Sequence, residues 1–154
     1  MALSSGKRPL FETVNTKKKV VSGLGATYTL SVDDTDSTVL FDRAAGIVVT
    51  LPTAVPGLVF EFKTPVSVTT NNYKVITGAA TEFLTGSVRT VKTDLTTLES
   101  IPNGTTHRAV TMNGTTTGGL IGTTLRFVCL STTLWEVWGV VQASGVIATP
   151  MATS

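Results

Sequence analysis

Three short apolar runs lie close together in residues 40–63 and are separated by residues that break regular structure. The sequence Ala-Ala-Gly follows the first run, and Pro-Thr-Ala-Val-Pro-Gly separates the second run from the third. Apolar runs of this length with breakers at this spacing are typical of strands in a small all-β domain. The ionisable side chains of the stretch are Asp42, Arg43, Glu61 and Lys63. The block therefore predicts a β scaffold that carries little reactive chemistry.

The rest of the chain continues the same pattern of short strands and turns. Strands are predicted at residues 28–32, 38–42, 47–51, 57–63, 73–77, 87–91, 109–112, 123–130 and 134–141. Short strands are also predicted at residues 66–69 and 115–117, the latter joined to 109–112 as a hairpin by an Asn-Gly turn. The best candidate for a single helical turn is the segment 93–100, because two leucines lie three residues apart there. Nothing in the pattern supplies the helices that usually connect parallel strands. The prediction is an all-β fold, an antiparallel two-sheet sandwich that resembles a jelly roll.

Positive charge is concentrated near the N-terminus. Residues 1–25 hold five basic side chains and one carboxylate, whereas the rest of the chain holds seven basic and nine acidic side chains. The five basic residues are Lys7, Arg8, Lys17, Lys18 and Lys19. We interpret residues 1–25 as an extended arm that docks on an acidic partner, with a short strand at residues 19–21 as an alternative within it, 26–142 as the sandwich domain and 143–154 as a flexible tail. A cluster of solvated charges without a partner is the alternative interpretation of the arm.

Residues that commonly carry out chemistry are sparse in this sequence. Cys129 lies in an apolar run and is expected to be a small buried side chain, and the single histidine, His107, lies in a turn-rich segment. Asp33, Asp34 and Asp36 lack the loop spacing of a calcium site, so they predict a solvated turn. Neither a phosphate-binding glycine loop nor a set of zinc ligands is recognisable. We expect no enzymatic activity, no metal and no cofactor.

Aromatic side chains offer one candidate contact surface. Trp135 and Trp138 flank Glu136, as in a platform that stacks against a sugar ring, and Tyr73 is a third candidate for stacking. The alternative is that one tryptophan packs in the core while the other faces solvent or a neighbouring chain.

The N-terminal sequence lacks the apolar core of a signal peptide, and no apolar run approaches the length of a membrane span. Only Phe11 accompanies the basic residues of the arm, so the interleaved pattern of a nucleic-acid-binding segment is missing. We therefore expect a protein that is made in the cytoplasm and binds neither membrane nor nucleic acid.

Five segments of the chain resemble a group of small virion proteins from tailed phages. The pattern begins with Tyr-Thr-Leu-Ser-Val, an Asp/Ser turn and Val-Leu-Phe-Asp-Arg-Ala-Ala-Gly, and it ends with Leu-Trp-Glu-Val-Trp-Gly-Val. Thr-Leu-Pro, Pro-Gly-Leu-x-Phe-x-Phe and Val-Thr-Thr-Asn-Asn-Tyr-Lys-Val-Ile lie between these ends. The segments occupy residues 28–43, 50–52, 56–62, 68–76 and 134–140. On these segments the chain is similar to head decoration (cement) proteins.

This resemblance implies a β-sandwich, usually trimeric, that sits on the outer surface of the capsid and has no catalytic residues. We therefore expect a structural virion protein that stabilises a phage head by bridging neighbouring subunits of the major capsid protein. A homotrimer is expected because the edge strands of an apolar sandwich need covering. The alternative function is a tail-fibre or carbohydrate-binding β module.

Overall fold

Twelve strands in two sheets form the part of the chain, residues 18–154, that the computed structural model describes. The strands are β1 Val20–Val21, β2 Thr27–Thr29, β3 Ser37–Leu40, β4 Ile47–Thr50, β5 Val59–Lys63, β6 Tyr73–Ile76, β7 Phe83–Lys92, β8 Thr97–Ser100, β9 Ala109–Met112, β10 Thr124–Ser131, β11 Leu134–Ala143 and β12 Met151–Ala152. A single turn of 3-10 helix, Val32–Asp34, lies between β2 and β3, and no helix in these residues has the length and apolarity to cross a membrane. The predicted all-β, two-sheet architecture is confirmed, but the predicted strands at residues 66–69 and 115–117 are not formed. After Asn113 the backbone N–H groups of residues 115–117 donate to the Asn113 side chain, so the chain turns there instead of forming a hairpin strand.

The two sheets are mixed rather than purely antiparallel, which corrects the predicted pairing. One sheet has the strand order β1-β3-β5-β10-β11-β7-β8, and the other has the order β12-β9-β6-β4-β2. Five of the ten strand pairs in residues 18–154 are parallel. From β1 to β7 the chain alternates between the sheets, so every second strand belongs to the same sheet. Strands β1, β3 and β5, and likewise β2, β4 and β6, therefore lie side by side in parallel without helical connections.

The core between the sheets is built from the inward-facing side chains of the strands, which are every second residue along each strand. In β5, Phe60 and Phe62 are 0% and 1% exposed, while Val59, Glu61 and Lys63 alternate with them and face outward. Phe41 joins the two sheets, because its ring stacks on Phe62 at 5.4 Å and on Tyr73 of the five-stranded sheet at 4.6 Å, measured between ring centroids. Phe60 packs against Trp135 at 6.1 Å. Aromatic contacts of this kind add to the free energy of burying the apolar surface.

The segment 93–100 does not form the predicted helical turn. It makes the tip of a hairpin and then β8, which pairs antiparallel with β7. The Asp94 carboxylate accepts the backbone N–H of Thr96 at 3.0 Å, and Leu95 adopts a left-handed φ of 67°. Local side-chain hydrogen bonds of this kind compete with helix formation and favour turns.

Both ends of the sandwich domain extend beyond the predicted range 26–142. Strand β1 lies within the alternative short strand at residues 19–21 and pairs with β3, so the predicted arm does not continue to residue 25. At the other end β12 pairs with β9, and the N–H groups of Arg108 and Thr111 donate to the carbonyl oxygens of Ala152 and Pro150 at 2.9 and 2.8 Å. The prediction of a flexible tail is therefore wrong for residues 150–152. Backbone hydrogen bonds pair these residues with β9, although their side chains show no strand pattern.

Candidate functional site

The outer face of the seven-stranded sheet places Trp138 within a row of polar side chains. Across the strands, Glu61 of β5 lies opposite Arg126 of β10, Arg126 lies opposite Trp138 of β11, and Trp138 lies beside Ser87 of β7. Trp138 is 50% exposed, although it belongs to a central strand of the sheet. An indole left open to water loses much of the free energy that its burial would provide. This row is the best candidate for a binding surface in residues 18–154.

The Trp138 side chain lies between two hollows on this face. The first hollow has a volume of about 310 Å³ and extends from Trp138 toward β5. Its charged lining consists of Lys18, Asp36, Glu61, Lys63 and Arg126. The second hollow, of about 270 Å³, extends toward β7 and β8 and is lined by Ser87, Arg89 and Glu99. Because Trp138 lines both hollows, a ligand lying across its indole would contact both sets of polar groups.

Ion pairs join three of the five charged side chains that line the first hollow. The Glu61 carboxylate lies 2.8 Å from Lys18 Nζ and 3.1 Å from Lys63 Nζ. The hydrogen bond from Lys18, followed by that from Lys63, lowers the pKa of Glu61 below its usual value. Within residues 18–154, Arg126 has no carboxylate at ion-pair distance. Arg126 is therefore the cation of this hollow that is best placed to meet a ligand.

A third ion pair, Arg89–Glu99, forms the wall of the other hollow. Arg89 Nε donates to Glu99 Oε2 at 3.1 Å, and the Ser87 hydroxyl donates to the other oxygen of the same carboxylate. Arg89 and Glu99 lie opposite each other on β7 and β8, and both remain largely exposed. This wall presents hydrogen-bonding groups to solvent beside Trp138.

Two of the three predicted stacking residues are not on the surface. Trp135 is fully buried, and its indole N–H donates to Glu82 at 3.2 Å. Tyr73 is also fully buried; its hydroxyl donates to the Val66 carbonyl at 2.8 Å, and burial raises its pKa to about 12. The prediction of surface stacking is wrong for Trp135 and Tyr73, whereas Trp138 is exposed. The alternative that one tryptophan is in the core and the other is exposed is confirmed.

The single cysteine lies inside the sheet, as expected for a small core side chain. Cys129 is 2% exposed, and its thiol donates to the Ser131 carbonyl at 3.2 Å. Burial, and secondarily the charge of Glu82, raises the pKa of the Cys129 thiol. The nucleophilic thiolate is therefore disfavoured. No group of three His, Cys, Asp or Glu side chains in residues 18–154 is arranged to hold a metal ion.

Comparison with known proteins adds no relative of this chain. No family model, curated protein or solved structure matches it. The resemblance to decoration proteins therefore stays a prediction, and function has to be argued from the surface.

The basic residues of the predicted arm fall into two groups. Lys7, Arg8 and Lys17 lie outside the described residues. Lys18 and Lys19 are described, and both make ion pairs within the chain, to Glu61 at 2.8 Å and to Asp34 at 2.5 Å. The two lysines that precede β1 therefore help to hold this edge strand against the folded domain.

The prediction of a solvated turn is wrong for Asp34, which is buried at the centre of these contacts. Its carboxylate accepts the backbone N–H of Ser31 at 2.8 Å and the Ser31 hydroxyl at 2.9 Å, in addition to the bond from Lys19. The Lys19 hydrogen bond, followed by the Ser31 backbone bond, lowers the pKa of Asp34. All three bonds favour the ionised carboxylate.

The lowered pKa of Asp34 predicts acid sensitivity. A carboxylate whose pKa is lower in the folded state contributes stability above its unfolded pKa of about 3.9 and loses that contribution as the pH falls through the folded value. We expect the unfolding free energy to decrease below about pH 4, and Asp34→Asn to make this decrease shallower. Urea unfolding followed by tryptophan fluorescence across this pH range measures both slopes. Equal slopes for Asp34→Asn and the unmodified protein would contradict the prediction.

Proposed function

We propose that this protein is a structural virion protein that decorates a phage head and stabilises it by bridging neighbouring major capsid protein subunits. The resemblance of the five sequence segments supports this proposal. The observation that carries it is the exposure of three large apolar side chains in three loops at one end of the seven-stranded sheet. Apolar surface left open to water is available for burial against another protein.

The strand directions bring three loops to this end of the sheet. Strands β7 and β11 run in parallel and end side by side, and the segments after them carry Leu95 and Val146. Strand β10 runs antiparallel to β11, so it begins at the same end, and Ile121 lies in the loop before it. Leu95, Ile121 and Val146 are 82%, 63% and 87% exposed. We call these three residues the apolar end.

The apolar end suits attachment to a lattice of identical subunits. Burying apolar surface contributes roughly 25 cal/mol per Å², so three side chains provide a modest contact for each copy. Contacts that are weak individually become sufficient when neighbouring copies bind together, because linked sites act at high effective concentration. The basic residues Lys7, Arg8 and Lys17 would add an electrostatic contact with an acidic capsid surface.

Self-association would provide this linkage. The sandwich leaves β1 and β8 at the edges of one sheet and β2 and β12 at the edges of the other. Strand β8 is four residues long, and Ile101 beside it is 72% exposed. Exposed edges of this kind are normally covered. We include in the proposal a homotrimer in which the β8 edge of each chain contacts the next chain, since such head-to-tail contacts can close into a ring.

A binding experiment with phage heads tests the role of the apolar end. Heads purified from a phage that encodes the chain, but with the gene deleted, are mixed with the purified protein and sedimented. Replacing Leu95, Ile121 and Val146 together by serine is expected to weaken binding at least about tenfold, because the apolar contact is lost while exposed positions tolerate polar residues. The control replaces Val55 and Leu130, half-exposed residues at the opposite end, by serine. Equal loss in both variants would contradict the assignment of the surface.

Deletion of residues 2–17 tests the arm separately. The deletion keeps Lys18 and Lys19, whose ion pairs with Glu61 and Asp34 belong to the folded domain. We expect head binding to fall while the melting temperature stays unchanged. Unchanged binding would remove the arm from the proposal without affecting the apolar end.

A further inference from the structure

We propose that the outer face around Trp138 binds an acidic saccharide, in which at least one pyranose ring carries a carboxylate. A pyranose ring has an apolar face of C–H bonds and an edge of hydroxyl groups. A site for it therefore needs a flat aromatic surface bordered by fixed hydrogen-bonding groups. The inference does not depend on capsid attachment, because it concerns a different surface from the apolar end.

The position of Trp138 supplies the aromatic surface. Its side chain is half exposed on a central strand, with one hollow of about 310 Å³ and another of about 270 Å³ beside it. These volumes are close to the lower limit of roughly 300 Å³ for small-molecule sites. Each hollow therefore suits one or two sugar residues, and both together suit a short oligosaccharide that crosses the indole.

The charges of the first hollow favour an acidic sugar over a neutral one. Three cations and two carboxylates line this hollow, and Glu61 is already paired with Lys18 and Lys63. Arg126, directly opposite Trp138 on the neighbouring strand, lacks a carboxylate partner in residues 18–154. A guanidinium binds a carboxylate through two parallel hydrogen bonds. A sugar ring stacked on Trp138 would place a ring carboxylate next to this group.

The second hollow favours a saccharide over a nucleic acid strand, the other flat and negatively charged class of ligand. Its wall holds the Glu99 carboxylate beside Arg89 and Ser87. Carboxylates accept hydrogen bonds from sugar hydroxyls and repel anionic groups, of which a nucleic acid strand carries one per nucleotide and a saccharide with one acidic ring carries one in all. A ligand with one carboxylate and many hydroxyl groups matches both hollows.

Binding of defined oligosaccharides to the full chain tests the inference. The probes are a trisaccharide with a single glucuronic acid residue and 3′-sialyllactose, each of which carries one carboxylate, with cellotriose as the neutral reference and a thymidine hexanucleotide as the rival class. We expect at least one acidic probe to bind about tenfold more tightly than cellotriose by isothermal titration calorimetry. The two acidic probes distinguish a hexuronic acid from a sialic acid. Preference for cellotriose or for the hexanucleotide, or binding of no probe, would overturn the inference.

Two variants and one control locate the binding site. Trp138→Ala is expected to weaken the acidic probe at least about tenfold, and Arg126→Gln is expected to reduce the acidic probe to the affinity of cellotriose. Lys74→Gln removes a cation from the other sheet and should leave binding unchanged. Melting temperatures confirm that each variant is folded, and Trp138→Phe provides a smaller change at the same position. Unchanged affinity in both Trp138→Ala and Arg126→Gln would overturn the site.

Discussion

Replacing Glu82 by alanine is expected to lower the unfolding free energy by about 3 kcal/mol or more. The Glu82 carboxylate is 1% exposed and accepts three N–H groups. These are the backbone N–H of Ala54 at 2.8 Å, the backbone N–H of Gly78 at 3.2 Å and the indole N–H of Trp135 at 3.2 Å. Each buried donor left without an acceptor costs about 1–3 kcal/mol. Glu82 therefore holds two loops and the core tryptophan in place together.

A matched control separates this effect from the loss of a carboxylate in general. Glu136 lies half buried on β11, and its carboxylate accepts no hydrogen bond from residues 18–154. Glu136→Ala is expected to change stability by less than about 0.5 kcal/mol. Guanidinium unfolding at one protein concentration, followed by tryptophan fluorescence, measures both variants. A loss in Glu82→Ala no larger than in Glu136→Ala would contradict the role of the three hydrogen bonds.

Gly86→Ala is expected to destabilise the protein by more than about 3 kcal/mol or to prevent folding. Gly86 lies in β7 opposite Val137 of β11 and has a φ of +108°, a conformation that other residues rarely adopt. A Cβ atom there would overlap the Val137 carbonyl oxygen, which belongs to a central strand and cannot move freely. The substitution would separate the two strands that carry Ser87 and Trp138.

Gly57→Ala provides the control for backbone strain. Gly57 also has a positive φ, +96°, but no atom lies within 4 Å of the position that a Cβ would take. Its substitution should cost only the conformational strain, about 1–3 kcal/mol. The difference in unfolding free energy between the Gly86→Ala and Gly57→Ala variants measures the cost of placing a Cβ atom where β7 and β11 approach closely. Equal destabilisation of both variants would show that this approach does not constrain the fold.

Side-chain alternation was sufficient to predict much of the sandwich. The sequence around Phe60 and Phe62 predicts a strand with its aromatic residues on one face, and both are buried in β5. The apolar run around Cys129 likewise predicts a buried strand, and β10 contains it. These elements are predictable because burial of every second residue leaves a period of two in the sequence.

Strand pairing was less predictable, because buried and exposed side chains alternate in the same way in parallel and in antiparallel strands. The direction of pairing follows from connections that cross between the sheets, and those connections show only as loops in the sequence. Strand β12 is two residues long and pairs through its backbone, so it leaves no side-chain pattern. Leu95 shows the opposite problem, since its spacing from Leu98 suggests a helix while a local turn determines its conformation.

The candidate site could be predicted only in part. Trp138 is an evident candidate from its residue type alone, but the sequence does not separate it from Trp135. The position of Arg126 opposite Trp138 depends on the register of the β10–β11 hairpin. An irregularity between Cys129 and Ser131 shifts this register. Glu61 reaches the same row through β5, which is distant in the sequence. One sequence signal could have indicated the site. It is the outward position of charged residues within strands whose other face is apolar.

The proposed function is tested most directly by cryo-electron microscopy. Heads from the phage that lacks the gene are imaged after the purified protein has been added. Icosahedral reconstruction should show additional three-fold density on the outer capsid surface at the seams between major capsid subunits, and the two-sheet sandwich should fit it. The apolar end should point toward the capsid. Heads that show no added ordered density at saturating protein, or protein found only on the tails of complete virions, would contradict the account.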